Sequence, residues 1–249
     1  MTAQMSTDIL GTPIAITDLA GATAHLLQRA AARHGGYVCL RDVHGLMLAR
    51  HDPELLEIHR DSAMNLPDGL PLVHIARLRG HRATGRVAGA DLVEALADAG
   101  RGTALRHYFY GGKPGVAEKM AATLTRRFPG MVVAGYTSPP FGEIDEAAMT
   151  QALAAIVATH ADVVWVGLST PKQERWMHRY HQALPGMTLI GVGAAFDFIT
   201  GEVRRAPPWM QRATLEWLHR LISEPRRLWR RYLVLAPRFV WLILTERAK

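Results

Sequence analysis

One cysteine in 249 residues, Cys39, leaves no partner for an internal disulfide and fits a reducing compartment, where it reads as a small core residue. No run of about 18 apolar residues occurs, so no transmembrane helix is expected. The start, MTAQMSTDILGTP, has neither a basic n-region nor a long apolar h-region, so no signal peptide is expected and the cytoplasm is the expected location. HExxH, CxxC and any Asp-x-Asp pair are missing, which argues against a metal centre. His178 and His181 lack a nearby carboxylate cluster and read as a solvated helix face rather than a zinc site. There is no Walker loop, no full GxGxxG, no Ser–His–Asp spacing, no internal repeat and no low-complexity segment.

What is present is a chain 49% hydrophobic, enough for one substantial core or a large domain with an appendage. Its net charge of +7 is uneven: Arg204–Lys249 holds 11 Arg and Lys against three Glu, whereas residues 1–203 hold 18 basic and 19 acidic groups. Four of the six tryptophans, Trp209, Trp217, Trp229 and Trp241, also lie in that tail.

Short apolar runs at Thr12–Ile16, Tyr37–Leu40, His107–Tyr110, Met131–Ala134, Val163–Leu168 and Thr188–Val192 alternate with helix-length amphipathic segments. That rhythm predicts an α/β fold, a Rossmann-like and mostly parallel sheet sandwiched by helices. Asp18 or Thr17 is expected to cap one helix, and Asp52 before Pro53 another. From about Pro207 the alternation stops and the pattern is helical: Trp209–Ile222, then a break at Glu224-Pro225, then Arg226–Glu246 with Pro237 inside. The expected division is a core over 1–206 and a basic helical appendage over 207–249. Within it, Tyr232–Leu244 is apolar but too short to span a bilayer.

The chain is organised around Ala161–Gln173, where a buried strand delivers Ser169, Thr170, Lys172 and Gln173 to one spot. In a parallel sheet ligands sit beyond the strand ends, so this suits a polar ligand; an ordinary loop whose Ser and Thr cap the next helix is the competing reading. Asp68, between Pro67 and Gly69, is placed either to act as a general base or to complete a turn through its own backbone. Gly111-Gly112-Lys113-Pro114-Gly115 either cradles a diphosphate at a helix N-terminus or makes a tight turn. Arg220, Arg227 and Arg230 share a helical face and form a natural diphosphate clamp, whereas Arg226 and Arg231 read as a solvated face.

Together, ILGTPI, LARHDPEL, LPDGLPLV, the Gly-Gly-Lys-Pro-Gly-Val-Ala-Glu-Lys run, VGLSTPKQERW, GVGAAFDFITGEVRRAPPWMQ and LEWLHRLISEPRRLWRRYL resemble the WecG/TagA/CpsF family of bacterial glycosyltransferases. The resemblance runs from Leu10 to about Arg231. It implies inverting, metal-independent transfer from a UDP-sugar to a polyprenyl-diphosphate-linked saccharide, with no cofactor, by a protein peripheral on the inner face of the cell membrane. It implies Asp68 as the base and Gln173, Arg220, Arg227 and Arg230 as substrate contacts, and it admits a homo-oligomer. By their own place beyond strand ends Gly111, Gly112 and Lys172 are further substrate-binding candidates, as is Asp42. Two positions depart from the family pattern. Leu40-Arg41-Asp42 stands where many members have Thr-x-Asn, and Ala194-Ala195 stands where many have Gly-Gly.

Two rivals compete. A nicotinamide-dependent oxidoreductase would show a fuller glycine fingerprint and a ribose-binding acid. A nucleic-acid-binding protein would explain the basic tail, but arginines interleaved with Trp, Leu, Val and Ile suit an anionic membrane surface better, so no nucleic-acid partner is expected.

Overall fold

The computed structural model describes residues 5–140, 142, 145–207, 209–210 and 215–246, with the side chains of Arg227 and Glu246 outside that description. The main sheet has six parallel strands: β3 (Gly36–Arg41), β4 (Met64–Pro67), β5 (Arg106–Gly111), β6 (Val132–Thr137), β7 (Val163–Gly167) and β8 (Thr188–Gly191). Their spatial order is β4-β3-β8-β7-β5-β6. The chain first runs outward from β3 to β4, and the later strands then fill the other side. A separate antiparallel hairpin, β1 (Ser6–Ile9) and β2 (Thr12–Ala15), precedes the sheet.

Alternation along each central strand explains the layers. Val38, Phe109, Val163, Trp165 and Ile190 point to one face. There they meet α1 (Leu19–Ala31), α5 (Gly89–Ala99), α6 (Val116–Arg127) and α9 (Ala195–Thr200). Cys39, Tyr108, Tyr110, Val164, Val166 and Leu189 point to the other face. That face is covered by α3 (Pro53–Asp61), α7 (Glu146–Ala158) and α8 (Lys172–Tyr180). Strands covered on both faces have no solvent side, which is why they read as unbroken apolar runs. Carboxylates set several helix starts: Asp18 accepts from the Gly21 amide at 2.8 Å, and Asp52, ahead of Pro53, from that of Leu55 at 3.0 Å.

A third apolar cluster joins the hairpin to α2 (Val43–Ala49), α4 (Leu70–Leu78) and the end of the tail. The tail runs through α10 (Glu216–Ser223), α11 (Pro225–Trp229), a π-helical stretch Arg230–Leu235 and α12 (Ala236–Glu246). Phe239, Leu242 and Ile243 of α12 pack on Leu46, Met47, Leu72 and Ile75. The apolar stretch of the appendage therefore has two faces. One is buried in the fold; the other, Leu233, Val234, Val240, Trp241 and Leu244, is exposed. Among the described residues no helix is long and apolar enough to cross a membrane.

Candidate active site

Because all six strands are parallel, their carboxyl ends lie on one edge. Asp42, Asp68, Gly112, Lys172 and Gln173 all follow strands and are delivered there. The amides of Asp68 and Gly69 both donate to the Arg41 carbonyl, at 2.9 and 3.1 Å, so the β4 loop is anchored to the end of β3. A Cβ on Gly69 would stand 3.1 Å from Asp42 Cα, a tight approach between the two loops.

The carboxylate of Asp68 does not serve its own turn. Its Oδ1 accepts from Arg86 Nη2 at 3.2 Å, while Arg86 Nε donates to the Asp68 carbonyl at 2.6 Å. Arg86 Nη1 donates to Glu216 of the tail at 2.7 Å, and Arg205, which grips Asp91, lies 3.6 Å from the other Glu216 oxygen. Burial raises the pKa of Asp68. Arg86 opposes that rise, and the Asp42 and Glu216 carboxylates add to it. A carboxylate whose pKa is raised is a stronger proton acceptor, once ionised, than a free one.

Asp42 caps α2 by accepting from the Gly45 amide at 2.9 Å, and its second oxygen pairs with Arg231. Burial would raise its pKa, but Arg231, the Gly45 amide, His44 and Arg41 outweigh burial and hold the group low. This corrects the assignment of Arg231 to a solvated face. Helical spacing pointed elsewhere because the break after Ser223 and the π-helical stretch shift the phase of the tail, turning Arg231 inward. Arg230 instead lies exposed over its neighbour Trp229, 5.3 Å from the ring centroid. Arg220 reaches the core, its guanidinium 5.6 Å from the ring centroid of Phe198 in α9. The side chain of Arg227 is outside the described part.

Toward β5, β7 and β8 the same edge opens into a cleft of about 850 Å³. Gly112, Lys113, Lys172, Arg175, Trp176 and Gly193 are among its walls. Its size suits a nucleotide-sized ligand. Gly111 and Gly112 of the β5 loop each have a structural reason. A Cβ on Gly111 would stand 2.5 Å from the Gly167 carbonyl oxygen, and Gly112, with φ of 73°, gives its amide to that same carbonyl at 3.0 Å. Ser169 lines the cleft with a left-handed φ of 65°, a conformation that costs a non-glycine residue about 1–2 kcal/mol.

Neither Ser169 nor Thr170 caps α8, whose N-cap is Pro171 with no side-chain bond. Thr170 Oγ1 instead donates to Glu174 Oε1 at 2.9 Å, which corrects the capping reading. Gln173 is almost wholly buried behind Gly191 and Gly193. His178 is only half-buried, and its Nδ1 lies 3.1 Å from the Tyr37 hydroxyl.

Sequence reasoning missed Arg86, Glu216 and Arg231. Arg86 sits in a loop with no apolar period, and Glu216 is one of three acids in a basic tail. Their ion pairs span 130 and 189 residues of chain, so nothing local announces them. Among the described residues no three His, Cys, Asp or Glu side chains gather as metal ligands would.

The profile of the glycosyl transferase WecG/TagA/CpsF family matches residues 7–249. The chain is similar to an N-acetylglucosaminyldiphosphoundecaprenol N-acetyl-beta-D-mannosaminyltransferase of Bacillus subtilis (strain 168), 33% identical over 195 residues, 78% of this chain and 73% of that one. A protein of the same name from Bacillus spizizenii (strain W23) is 34% identical over 201 residues, 80% of this chain and 76% of that one.

Proposed function

Since the chain belongs to the WecG/TagA/CpsF family of glycosyltransferases, we propose that it moves a sugar from a UDP-sugar to a polyprenyl-diphosphate-linked saccharide, with inversion, on the inner face of the cell membrane. The names of its relatives make UDP-N-acetylmannosamine the first donor to test and N-acetylglucosamine on a lipid diphosphate the first acceptor. The observation that carries the reading is the sharing of one sheet edge. A half-buried carboxylate, Asp68, stands at the end of β4, and a cleft bordered by Lys113 and Lys172 stands at the ends of β5 and β7.

In this reading Asp68 takes the proton of the acceptor hydroxyl. The freed oxygen bonds to the anomeric carbon of the donor, and the bond from that carbon to the phosphate oxygen breaks, its electron pair leaving with UDP. The enzyme must then supply a base and a compensating charge. Lys113 and Lys172 in the cleft wall and Arg220 over Phe198 are the cations at hand for the leaving diphosphate. Burial raises the pKa of Asp68 and Arg86 opposes that rise, an upward shift that suits a general base. The exposed stripe of Leu233, Val234, Val240, Trp241 and Leu244, with Arg230 and Arg238 also exposed, supports peripheral attachment to an anionic bilayer, where each basic residue contributes about 1 kcal/mol.

The test is a panel of UDP-sugars incubated with the full chain and a short-chain lipid diphosphate bearing N-acetylglucosamine, with products read by mass spectrometry. We expect a β-linked disaccharide product from at least one donor, formed equally well in EDTA. Failure with every donor would overturn the reading. Loss in EDTA restored by magnesium or manganese would overturn its metal-independent form.

A further inference from the structure

Directly beneath the strand ends lies a buried polar network that the transfer as derived does not use. Arg41, the last residue of β3, pairs with Glu174 in α8, their side chains 1% and 0% exposed. Oε1 of Glu174 gathers three donors: Arg41 Nη2, Thr170 Oγ1 at 2.9 Å and Gln173 Nε2 at 3.2 Å. Arg41 Nη1 donates to His59 Nε2 at 2.7 Å. His59 is held neutral, burial and the adjacent guanidinium pushing its pKa down to about 2. The network ties the end of β3 to α8 and the loop after β7, across the intervening β8. Gly191 in β8 leaves the room: a Cβ there would stand 2.7 Å from Met177 Cε and 3.1 Å from Gln173 Nε2.

The consequence falls on Gln173. A carboxylate only accepts hydrogen bonds, so Glu174 takes the amide nitrogen and turns the amide oxygen the other way. Gln173 is 3% exposed, and its Oε1 has no hydrogen-bond partner among the described residues. Buried acceptors are rarely left unpaired. A Cβ built on Gly193 would lie 3.5 Å from that oxygen, and Gly193 lines the cleft. We infer that Arg41 and Glu174 are a positioning pair, holding the Gln173 amide oxygen at the cleft wall beside Gly193 to accept from an N–H or O–H group of the bound nucleotide sugar. This rests on the reading of the cleft as the UDP-sugar site and adds to it the polarity of one contact. Gln173 touches the ligand; Arg41 and Glu174 act through it.

The test uses the full chain and UDP-N-acetylmannosamine in a mutant cycle. Removing one partner of a buried pair leaves a bare charge, but replacing both by apolar residues of similar size leaves none. The key variant is therefore Arg41→Met with Glu174→Leu, compared with Gln173→Ala and with all three changes together. A lost hydrogen bond of this kind corresponds to about tenfold in affinity. The pair variant should unfold cooperatively near the parent's temperature. Its KM and Kd for the donor should rise about tenfold with kcat little changed. Gln173→Ala alone should cost about the same, and adding it to the pair variant less than about twofold more, since coupled residues are not additive.

Parental KM in the pair variant, or the full separate cost of Gln173→Ala within it, would overturn the inference. Should the pair variant not fold, Arg41→Gln with Glu174→Gln serves instead: it removes both charges together, and the new amide at 174 pairs with either orientation of Gln173, so KM should still rise, and an unchanged KM would overturn the inference. A parent that binds no UDP-sugar in calorimetry overturns the cleft reading and the inference with it. A parent that binds, with a folded pair variant binding equally, overturns the inference alone.

Discussion

The sheet and the tail hold the same kinds of residue and use them in opposite ways. Trp165 and Trp176 of the sheet layers are buried, whereas Trp209, Trp217, Trp229 and Trp241 of the tail are exposed, Trp241 by 62%. The sheet's main ion pair, Arg41–Glu174, is closed to solvent; the tail's Arg231–Asp42 is about a quarter open on each side. Solvated pairs contribute about 0–1 kcal/mol, so the tail is held chiefly by the patch around Phe239. The difference teaches that position along the chain does not decide what an apolar residue is for. In α12, one face completes the fold and the other is left for a surface.

Phe239→Ala strikes at that difference most strongly. Phe239 is 2% exposed, and deleting a buried Phe side chain costs about 3–5 kcal/mol. If the tail opens on its own, the amides of α12 should lose exchange protection while those of β5, β7 and β8 keep theirs. Equal loss in both regions would mean that sheet and tail form one cooperative unit.

Acid should act on the sheet instead. His107 accepts from Trp165 Nε1 at 3.1 Å, and burial pushes its pKa down to about 4. The unfolded chain binds a proton near pH 6.5 that the folded chain refuses until about pH 4. This stability is therefore complete above about pH 6.5 and is lost as pH falls toward 4, by roughly 3 kcal/mol. His59 acts in the same sense. Denaturant titrations at pH 7 and pH 4.5 should differ by less in His107→Gln than in the parent; an equal difference would remove His107 from the account.

The smallest effect joins the two regions. Arg86 stands between Asp68 and the tail's Glu216, lowering the pKa of Asp68 while Glu216 raises it. The acidic limb of the kcat/KM profile should move to higher pH in Arg86→Gln and to lower pH in Glu216→Gln. Shifts of the same sign in both would break the link.

The sheet was legible because a strand buried on both faces must be apolar throughout and must end in turn residues. His107–Tyr110, Val163–Leu168 and Thr188–Val192 are such runs, and each overlaps the observed strand closely. The edge holding Lys172 and Gln173 followed from parallel topology, whereas β4, which carries Asp68 there, has only four residues and was not among the expected runs. Ser6–Ile9 escaped notice because a four-residue strand with exposed Ser6 and Asp8 carries little apolar signal. In the tail, a phase counted at 3.6 residues per turn fails where the helix breaks at Glu224 and loosens over Arg230–Leu235. The Arg41–Glu174 network joins residues 133 positions apart and has no local pattern.

The central claim, that Asp68 at the end of β4 is the base, is tested most directly by Asp68→Asn in full-chain transfer assays with UDP-N-acetylmannosamine and the lipid diphosphate acceptor. Asparagine keeps the size and turn-forming capacity but removes the proton acceptor. The account predicts turnover reduced by about 10²–10⁴-fold, with UDP binding and the thermal midpoint close to those of the parent. Turnover within a few fold of the parent, in a folded variant that still binds UDP, would contradict it.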